Sequence, residues 1–314
     1  MSFRGRFAPS PTGRLHLGNA RSALLGWLQA RAAGGQFLLR VEDLDRARCR
    51  PQYLDDLMRD LEWLGLTWDE PPVFQSARDD AYRDALERLE RLGWVYPCFC
   101  TRAEIARAAS APHGLSDEGP RYPGTCASLS PTEIAERSRT RTPAYRFRPQ
   151  PGEVHFVDGL QGPSSQDVAA VVGDFVVRRN DGVASYQLAV VVDDAASRIT
   201  HVLRGDDLLS STPRQLQLYA ALELPPPQFF HVPLVLGADG KRLAKREGAF
   251  ALTELRERGL PAERVLGVLA AWSGLGDGSP VALEELVRRF RPETLPRGPV
   301  VAQEQTLVEA LGLD

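Results

Sequence analysis

The chain has 314 residues, of which 25% are charged and 43% hydrophobic, and its formal net charge is −3 at pH 7. This composition is ordinary for a globular protein, and the length suffices for a core in two or three domains. We expect no membrane helix and no signal peptide, because apolar runs of the required length are missing. Four cysteines in a chain this long argue against a disulfide scaffold and favour reduced thiols in the cytoplasm.

The first segment predicts a strand, a rigid turn and a helix. Residues 6–19 read Arg-Phe-Ala-Pro-Ser-Pro-Thr-Gly-Arg-Leu-His-Leu-Gly-Asn. A strand over residues 3–8 would lead into a turn fixed by proline, and apolar side chains recur at helical spacing from Leu17 onward. Three residues fall at the helix start: His16, Gly18 and Asn19. Free N–H groups there favour an anion such as a nucleotide phosphate, although a capped surface helix is the alternative.

Strands and helices then alternate. Residues 36–41 predict a second strand, and residues 53–64 and 82–92 predict amphipathic helices. Each helix is followed by a glycine, Gly65 or Gly93, which is typical of a helix end. This alternation predicts an α/β fold with a Rossmann-like parallel sheet.

The alternating pattern breaks between Cys98 and about Gly182, where Pro, Gly, Ser and Arg are frequent. Strand-like runs return at residues 183–192 and 199–203, so an insertion splits the sheet domain. We predict two halves of the α/β domain at residues 1–97 and 183–248, an inserted subdomain at 98–182, and a small helical region at 249–314.

Two basic segments stand out in a chain that is acidic overall. Residues 240–246 read Gly-Lys-Arg-Leu-Ala-Lys-Arg and follow a predicted buried strand over residues 231–236. A cationic loop at a strand end can stabilise charge on a phosphate, although a solvated basic turn is the alternative. The second segment contains Arg137, Arg139, Arg141, Arg146 and Arg148. It suits contact with nucleic acid, or it is a solvated surface.

Together, residues 6–19 and 240–246 resemble the HIGH and KMSKS motifs of class I aminoacyl-tRNA synthetases. The form Arg-Phe-Ala-Pro-Ser-Pro-Thr-Gly resembles the glutamate-specific branch, and further segments at residues 39–45, 186–194 and 199–207 resemble it too. The resemblance runs from about Phe3 to about Gly248. It implies a ligase that activates glutamate with ATP and an insertion that carries the region binding the tRNA acceptor end.

The resemblance also implies site residues. Guanidinium groups match the two carboxylates of glutamate, a carboxylate matches its ammonium group, and a tyrosine hydroxyl can donate to a carboxylate. The implied glutamate-binding residues are Arg6, Ala8, Ser10, Glu42, Tyr186 and Arg204. The implied ATP-binding residues are His16, Gly18, Asn19 and Lys245, with Mg²⁺ on the nucleotide and with His16 and Lys245 catalytic. The alternatives are a surface ion pair between Arg6 and Glu42 and a half-buried strand position for Tyr186.

The sequence departs from the family pattern in three ways. Asn19 replaces the last histidine of HIGH, Ala244 replaces the serine of KMSKS, and few residues follow Arg246 where glutamate enzymes carry an anticodon-binding domain. The short form resembles a bacterial group that attaches glutamate to the queuosine base of tRNA(Asp). A truncated enzyme charging tRNA(Glu) and a non-catalytic regulatory paralogue are the alternatives. We expect a monomer.

The cysteines predict a second site. Cys-x-Cys is followed after 21 residues by Tyr-x-x-x-Cys, and three thiolates suit tetrahedral zinc. Resemblance to the same bacterial group implies one structural Zn²⁺ held by Cys98, Cys100, Tyr122 and Cys126. His113 is the conventional alternative to the tyrosine. Cys49 stands apart and is expected to be a free thiol.

Replacing Lys245 tests the motif assignment. We expect Lys245→Ala to reduce adenylate formation by orders of magnitude, because its ammonium group would stabilise charge on the transferring phosphate. ATP–pyrophosphate exchange measures this step directly. Near-normal exchange would remove Lys245 from the assigned role.

Overall fold

The computed structural model describes residues 2–108, 121–241, 243 and 250–313. Several residues that the sequence analysis singled out lie outside this part of the chain: His113, Arg242, Ala244, Lys245 and Arg246. Predictions about them therefore stay predictions. None of the described helices is long and apolar enough to cross a membrane.

Parallel strands form the centre of the fold. The strands, in chain order, are β1 (Arg4–Phe7), β2 (Gln36–Val41), β3 (Val73–Phe74), β4 (Val95–Cys98), β5 (Ala144–Phe147), β6 (Glu153–Asp158), β7 (Gly162–Asp167), β8 (Phe175–Arg178), β9 (His201–Gly205), β10 (Gln228–Val232), β11 (Val235–Leu236) and β12 (Val300–Val301). β1, β2 and β3 pair in parallel, as do β9 and β10. The amide of Thr200 donates to the carbonyl of Arg4 over 2.9 Å, which brings β9 beside β1.

The strands within the predicted insertion, and β4, which ends at its first residue, pair in antiparallel fashion. β4, β5 and β8 form one antiparallel sheet, and β6 and β7 form a hairpin. The short strands β11 and β12 pair in parallel. The α/β architecture is therefore confirmed, and the predicted domain bounds stay predictions.

Helices surround the sheets. They are α1 (Leu17–Ala32), α2 (Pro51–Trp63), α3 (Asp79–Arg91), α4 (Arg102–Ala108), α5 (Pro131–Ser138), α6 (Val168–Val171), α7 (Tyr186–Ala196), α8 (Thr212–Ala221), α9 (Leu252–Glu257), α10 (Ala262–Ala271), α11 (Leu283–Arg289) and α12 (Glu304–Leu311). α1 contacts β1, β2 and β9 and also α10 and α11, so residues on all its faces are buried. It is the central helix of the main hydrophobic core.

Most elements of the first hundred residues agree with the sequence. β2 has the predicted bounds, and α1, α2 and α3 cover the predicted helices. Gly65 and Gly93 both have φ of +75°, a conformation that glycine adopts without the steric cost of a side chain. The helical prediction for the C-terminal region is likewise confirmed by α9 to α12.

Two predicted strands were wrong in whole or in part. Residues 183–192 were predicted as a strand, but Tyr186–Ala196 is the helix α7. Ser185 caps this helix by accepting from the Leu188 amide, and a run buried on both faces shows no periodicity that separates strand from helix. The predicted strand over 231–236 is interrupted at Pro233 and Leu234, where β10 has ended and β11 has not begun.

Candidate active site

A cavity of about 730 Å³ lies at the carboxyl edge of the parallel sheet. Ligands of open α/β sheets bind at this edge, because loops diverge there and leave a crevice. The sequence-predicted residues that line the cavity are Arg6, Ala8, Ser10, His16, Gly18, Asn19, Glu42, Tyr186 and Arg204. The structure thus brings together every predicted glutamate and nucleotide residue that it describes. Their individual roles remain predictions.

A buried ion cluster forms one wall of the cavity. Arg6 Nε lies 3.2 Å from Asp194 Oδ1, and Arg40 Nη1 lies 2.5 Å from the same oxygen. Arg40 also reaches Glu42, with 3.1 Å between Nη2 and Oε1. The alternative of a surface ion pair between Arg6 and Glu42 was therefore wrong, because Arg6 is buried and each residue has another partner.

The pKa shifts in this cluster show which charges are stabilised. Burial alone would raise the pKa of the Asp194 carboxyl, but Arg40 and Arg6 hold it below its ordinary value. Burial raises the pKa of Glu42, and the nearby guanidinium groups offset this only in part. A cationic ligand group beside Glu42 would therefore stabilise its ionised form.

The neighbouring carboxylate, Asp193, lies 3.9 Å from Arg40 Nε, but its closest partners are other residues. It accepts from Gln75 Nε2 over 2.9 Å and from the Tyr82 hydroxyl over 2.8 Å, and Arg78 Nε lies 2.5 Å from its other oxygen. Since Tyr82 lies on α3, these bonds hold α7 against that helix. Asp193 thus fixes the helix, while Asp194 faces the ion cluster.

Arg204 is a buried cation on β9, the strand that lies beside β1. Its Nη2 donates to Thr212 Oγ1 over 2.9 Å and to the carbonyl of Leu208 over 3.3 Å, and its Nη1 lies 3.5 Å from the Tyr186 hydroxyl. Among the described residues, no carboxylate forms an ion pair with Arg204. Tyr186 is the first residue of α7, so its predicted alternative as a strand residue was wrong.

Arg6 and Arg40 together pair with three carboxylates, those of Asp194, Glu42 and Asp193, whereas Arg204 forms no ion pair with a described carboxylate. A buried cation without a counter-charge is costly, so an anionic ligand stabilises this arrangement. The site suits a small molecule with more negative than positive charge.

The other end of the cavity is formed by the start of α1. His16 directly precedes the helix, as predicted, and Gly18 and Asn19 lie in its first turn. Among the residues that the structure describes, a side chain added at Gly18 would meet only Val235, at 3.9 Å, so their packing does not require glycine there. The positive end of the helix dipole lies at the start of this sixteen-residue helix and favours an anion.

The residues that hold the predicted ones in place were not predicted from the sequence. Arg40 and Asp194 lie inside segments already noted as family-like, yet neither received a role. Arg40 carried a detectable signal, because a charge within the apolar run Phe-Leu-Leu-Arg-Val must find a buried partner. No local pattern pairs it with Asp194, which is distant in the chain.

Three cysteines come together in the inserted subdomain. The Sγ atoms of Cys98, Cys100 and Cys126 lie within 4.8 Å of one another. The Tyr122 hydroxyl lies 3.4 Å from Cys98 Sγ and 3.5 Å from Cys100 Sγ. Tetrahedral zinc with ordinary bond lengths would separate sulfur and oxygen ligands by about 3.5 Å. The four side chains thus have the spacing of a tetrahedral donor set. Cys49 is a free thiol, as predicted.

The arginine-rich segment contains both exposed and buried side chains. Arg137, Arg139, Arg141 and Arg148 are exposed. Arg146 is buried, stacks 3.8 Å from the centre of the Tyr122 ring and donates to Cys98 Sγ over 3.3 Å. Arg146 is therefore a neighbour of the cysteine cluster, and only the other four are available to a partner at the surface.

Comparison with known proteins agrees with this geometry. The family described as class I tRNA synthetases (E and Q), catalytic domain, matches residues 2–308. The chain therefore belongs to the glutamate and glutamine family of class I tRNA synthetases.

Individual relatives within this family are similar to the chain over most of its length. The chain is 53% identical to a glutamyl-Q tRNA(Asp) synthetase of Symbiobacterium thermophilum, with 98% of each protein covered. It is 48% identical to the protein of the same name from Nitratidesulfovibrio vulgaris, with 97% of each covered. A glutamate tRNA ligase from Elizabethkingia meningosepticum, solved in complex with its amino acid, superposes with a TM-score of 0.86 at 27% identity. That alignment covers 99% of this chain and 69% of the other.

The ion cluster predicts a pH-dependent loss of stability on replacing Asp194. Asp194→Asn removes the counter-charge shared by Arg6 and Arg40, and we expect it to lower the free energy of unfolding by about 3 kcal/mol at pH 7. Because the folded-state pKa is depressed, this contribution is present above the unfolded-state value near 4 and is lost as the pH falls further. Urea unfolding at several pH values measures it.

The control for this experiment is Asp55→Asn, at an exposed position on α2, which we expect to leave stability unchanged. Equal stability of wild type and Asp194→Asn at pH 7 would contradict the prediction. A difference in unfolding free energy between wild type and Asp194→Asn that grows as the pH falls would contradict it as well.

Proposed function

We propose that the cleft activates L-glutamate with ATP and that the protein then transfers the glutamyl group to the queuosine base of tRNA(Asp). The observation that carries this proposal is Arg204, a buried guanidinium that has no ion-pair partner among the described residues and lies on the strand beside that of Arg6. A second carboxylate on the amino acid supplies the missing counter-charge. The similarity to glutamyl-Q tRNA(Asp) synthetases over nearly the whole chain supports the nucleic-acid substrate.

Each predicted residue has a role in holding glutamate. The guanidinium groups of Arg6 and Arg204 bind its two carboxylates, and Tyr186 donates its hydroxyl to one of them. Glu42 accepts from the ammonium group, which stabilises the ionised form that burial disfavours. Ala8 and Ser10 form the adjoining wall of the cavity.

ATP binds at the start of α1. His16, Gly18 and Asn19 contact the nucleotide, and Lys245, which lies outside the described residues, binds the phosphates. The glutamate α-carboxylate attacks the α-phosphorus, forming glutamyl-adenylate and releasing pyrophosphate. Positioning and charge stabilisation carry this step, with His16 and Lys245 as catalytic groups. Mg²⁺ bound to the phosphates supplies further neutralisation of charge.

A hydroxyl of the queuosine cyclopentenediol then attacks the activated carbonyl, and AMP leaves. The four exposed arginines of the inserted subdomain supply positive charge for the tRNA backbone. We expect the protein to act as a monomer in the cytoplasm, where its tRNA substrate and reduced thiols coexist.

The inserted subdomain binds one structural Zn²⁺ through Cys98, Cys100, Tyr122 and Cys126. The spacing of the donor atoms supports this assignment, and the metal would join β4 to the turn that contains Cys126. Tyr122 also accepts from the Cys126 amide over 2.9 Å, so its oxygen is held among the thiols. Arg146 would offset part of the negative charge of this donor set.

Metal analysis tests the zinc site. We expect about one zinc per chain in protein purified without chelator, and loss of it in Cys126→Ser, because one of the thiolate ligands is removed. Cys49→Ser is the matched control and should retain the metal. Full zinc occupancy in Cys126→Ser would contradict the site, and unchanged zinc affinity in Tyr122→Phe would favour His113 as the fourth ligand.

The transfer step is tested by offering labelled glutamate to three RNAs. We expect labelling of tRNA(Asp) that contains queuosine and none of tRNA(Asp) that lacks it, because the attacking hydroxyl belongs to the modified base. Labelling of tRNA(Glu) alone would favour the truncated charging enzyme. Absence of any labelling together with absence of ATP–pyrophosphate exchange would favour a regulatory paralogue.

A further inference from the structure

A second pair of ionisable residues lies behind Arg204, outside the lining of the cavity. Asp158 ends β6 and His231 lies in β10, and both are buried, with 2% and 0% of their surface exposed. Sequence analysis gave neither residue a role. Their side chains meet over 2.6 Å, between Asp158 Oδ2 and His231 Nδ1.

The surroundings of Asp158 fix which imidazole nitrogen carries the proton. Its other oxygen, Oδ1, accepts from the amides of Leu160, Gln161 and His231 over 3.0, 2.9 and 3.2 Å. These bonds and the His231 contact hold the pKa of Asp158 below its ordinary value, although burial alone would raise it. A carboxylate can only accept, so Nδ1 of His231 is the donor.

The opposite nitrogen of His231 faces donors. Arg204 Nε lies 2.9 Å from Nε2, and Thr212 Oγ1 lies 3.3 Å from it. Since Thr212 Oγ1 already accepts from Arg204, its own hydrogen is free to point at the imidazole. Nε2 therefore carries no proton, and the ring is neutral. Burial lowers the pKa of His231, which agrees with this assignment.

We infer that Asp158 and His231 act as positioning residues that hold Arg204 towards the γ-carboxylate of glutamate without neutralising its charge. This inference rests on the proposed glutamate site. A carboxylate in place of His231 would also orient the guanidinium, but it would cancel the charge on which the ligand depends. The neutral imidazole of His231 orients Nε of Arg204 by accepting its hydrogen bond. The positive charge of Arg204 then remains available to pair with the carboxylate of the amino acid.

Asp158→Asn tests the inference with an almost isosteric change. The three backbone amides keep the amide oxygen at the Oδ1 position, so the new NH₂ group faces His231 Nδ1. The imidazole must then carry its proton on Nε2, and two donors, Nε2–H and Arg204 Nε–H, oppose each other. We expect KM for glutamate to rise about 10- to 100-fold, with KM for ATP changing less than about twofold. ATP–pyrophosphate exchange in the presence of queuosine-containing tRNA(Asp) measures both.

A spectroscopic readout separates this mechanism from a purely structural role. In ¹⁵N-histidine spectra, wild-type His231 should show an unprotonated Nε2, and Asp158→Asn should show the opposite tautomer with an otherwise native spectrum. The result does not depend on catalysis. An unchanged tautomer in the variant would overturn the inference.

Two variants of His231 test whether a different hydrogen-bond acceptor can replace the imidazole. His231→Gln offers an amide oxygen near the Nε2 position and should stay within a few-fold of the wild-type glutamate KM, whereas His231→Leu should resemble Asp158→Asn. In the His231→Gln background, adding Asp158→Asn should have little further effect, because no tautomer remains to be inverted. His155→Gln, at an exposed position on the same strand as Asp158, is the matched control.

The outcomes distinguish the inference from the proposed function. An active wild type whose glutamate and ATP KM values rise equally in Asp158→Asn would overturn the positioning role alone. The same holds if His231→Gln and His231→Leu are equally impaired. A wild type without glutamate-dependent exchange would overturn the proposed function and, with it, the inference that rests on it.

Discussion

The cleft depends on one shared carboxylate. Asp194 lies on α7 and binds two guanidinium groups that come from adjacent strands, Arg6 of β1 and Arg40 of β2. Its charge allows two buried cations to lie next to each other at the carboxyl edge of the sheet, and it ties the helix to both strands. Arg40 in turn orients Glu42. These residues thus form an ion network next to the ligand site. Each charged group in it is stabilised and oriented by another.

Arg204, on the neighbouring strand β9, is held in a different way. Arg204 is oriented by hydroxyl, carbonyl and imidazole acceptors, and no described carboxylate neutralises it. The charges of Arg6 and Arg40 are therefore balanced by carboxylates of the protein, whereas the charge of Arg204 is not paired with a described carboxylate. This asymmetry explains how a site can select an acidic amino acid over its amide. An amide has the same shape as the carboxylate but supplies no counter-charge to Arg204, and in a buried site that difference is costly.

Much of the fold and part of the candidate site could be predicted from the sequence. The start of α1 at Leu17 and the bounds of β2 follow from local chemistry, so they were predicted correctly. Placing Arg6, Glu42 and Arg204 in one cleft required the family resemblance in addition. Pairing Asp194 with Arg40, or Asp158 with His231, depends on contacts between distant parts of the chain. The helix α7 was mistaken for a strand because its valine run is buried on all sides and carries no period.

Direct binding of two adenylate analogues tests the central claim that an uncompensated guanidinium selects the ligand. Stable sulfamoyl analogues of glutamyl-adenylate and glutaminyl-adenylate differ only in the terminal carboxylate and amide. Isothermal titration calorimetry should show the glutamyl compound binding at least about 100-fold more tightly. Equal affinities would contradict the account, because Arg204 would then gain nothing from the negative charge.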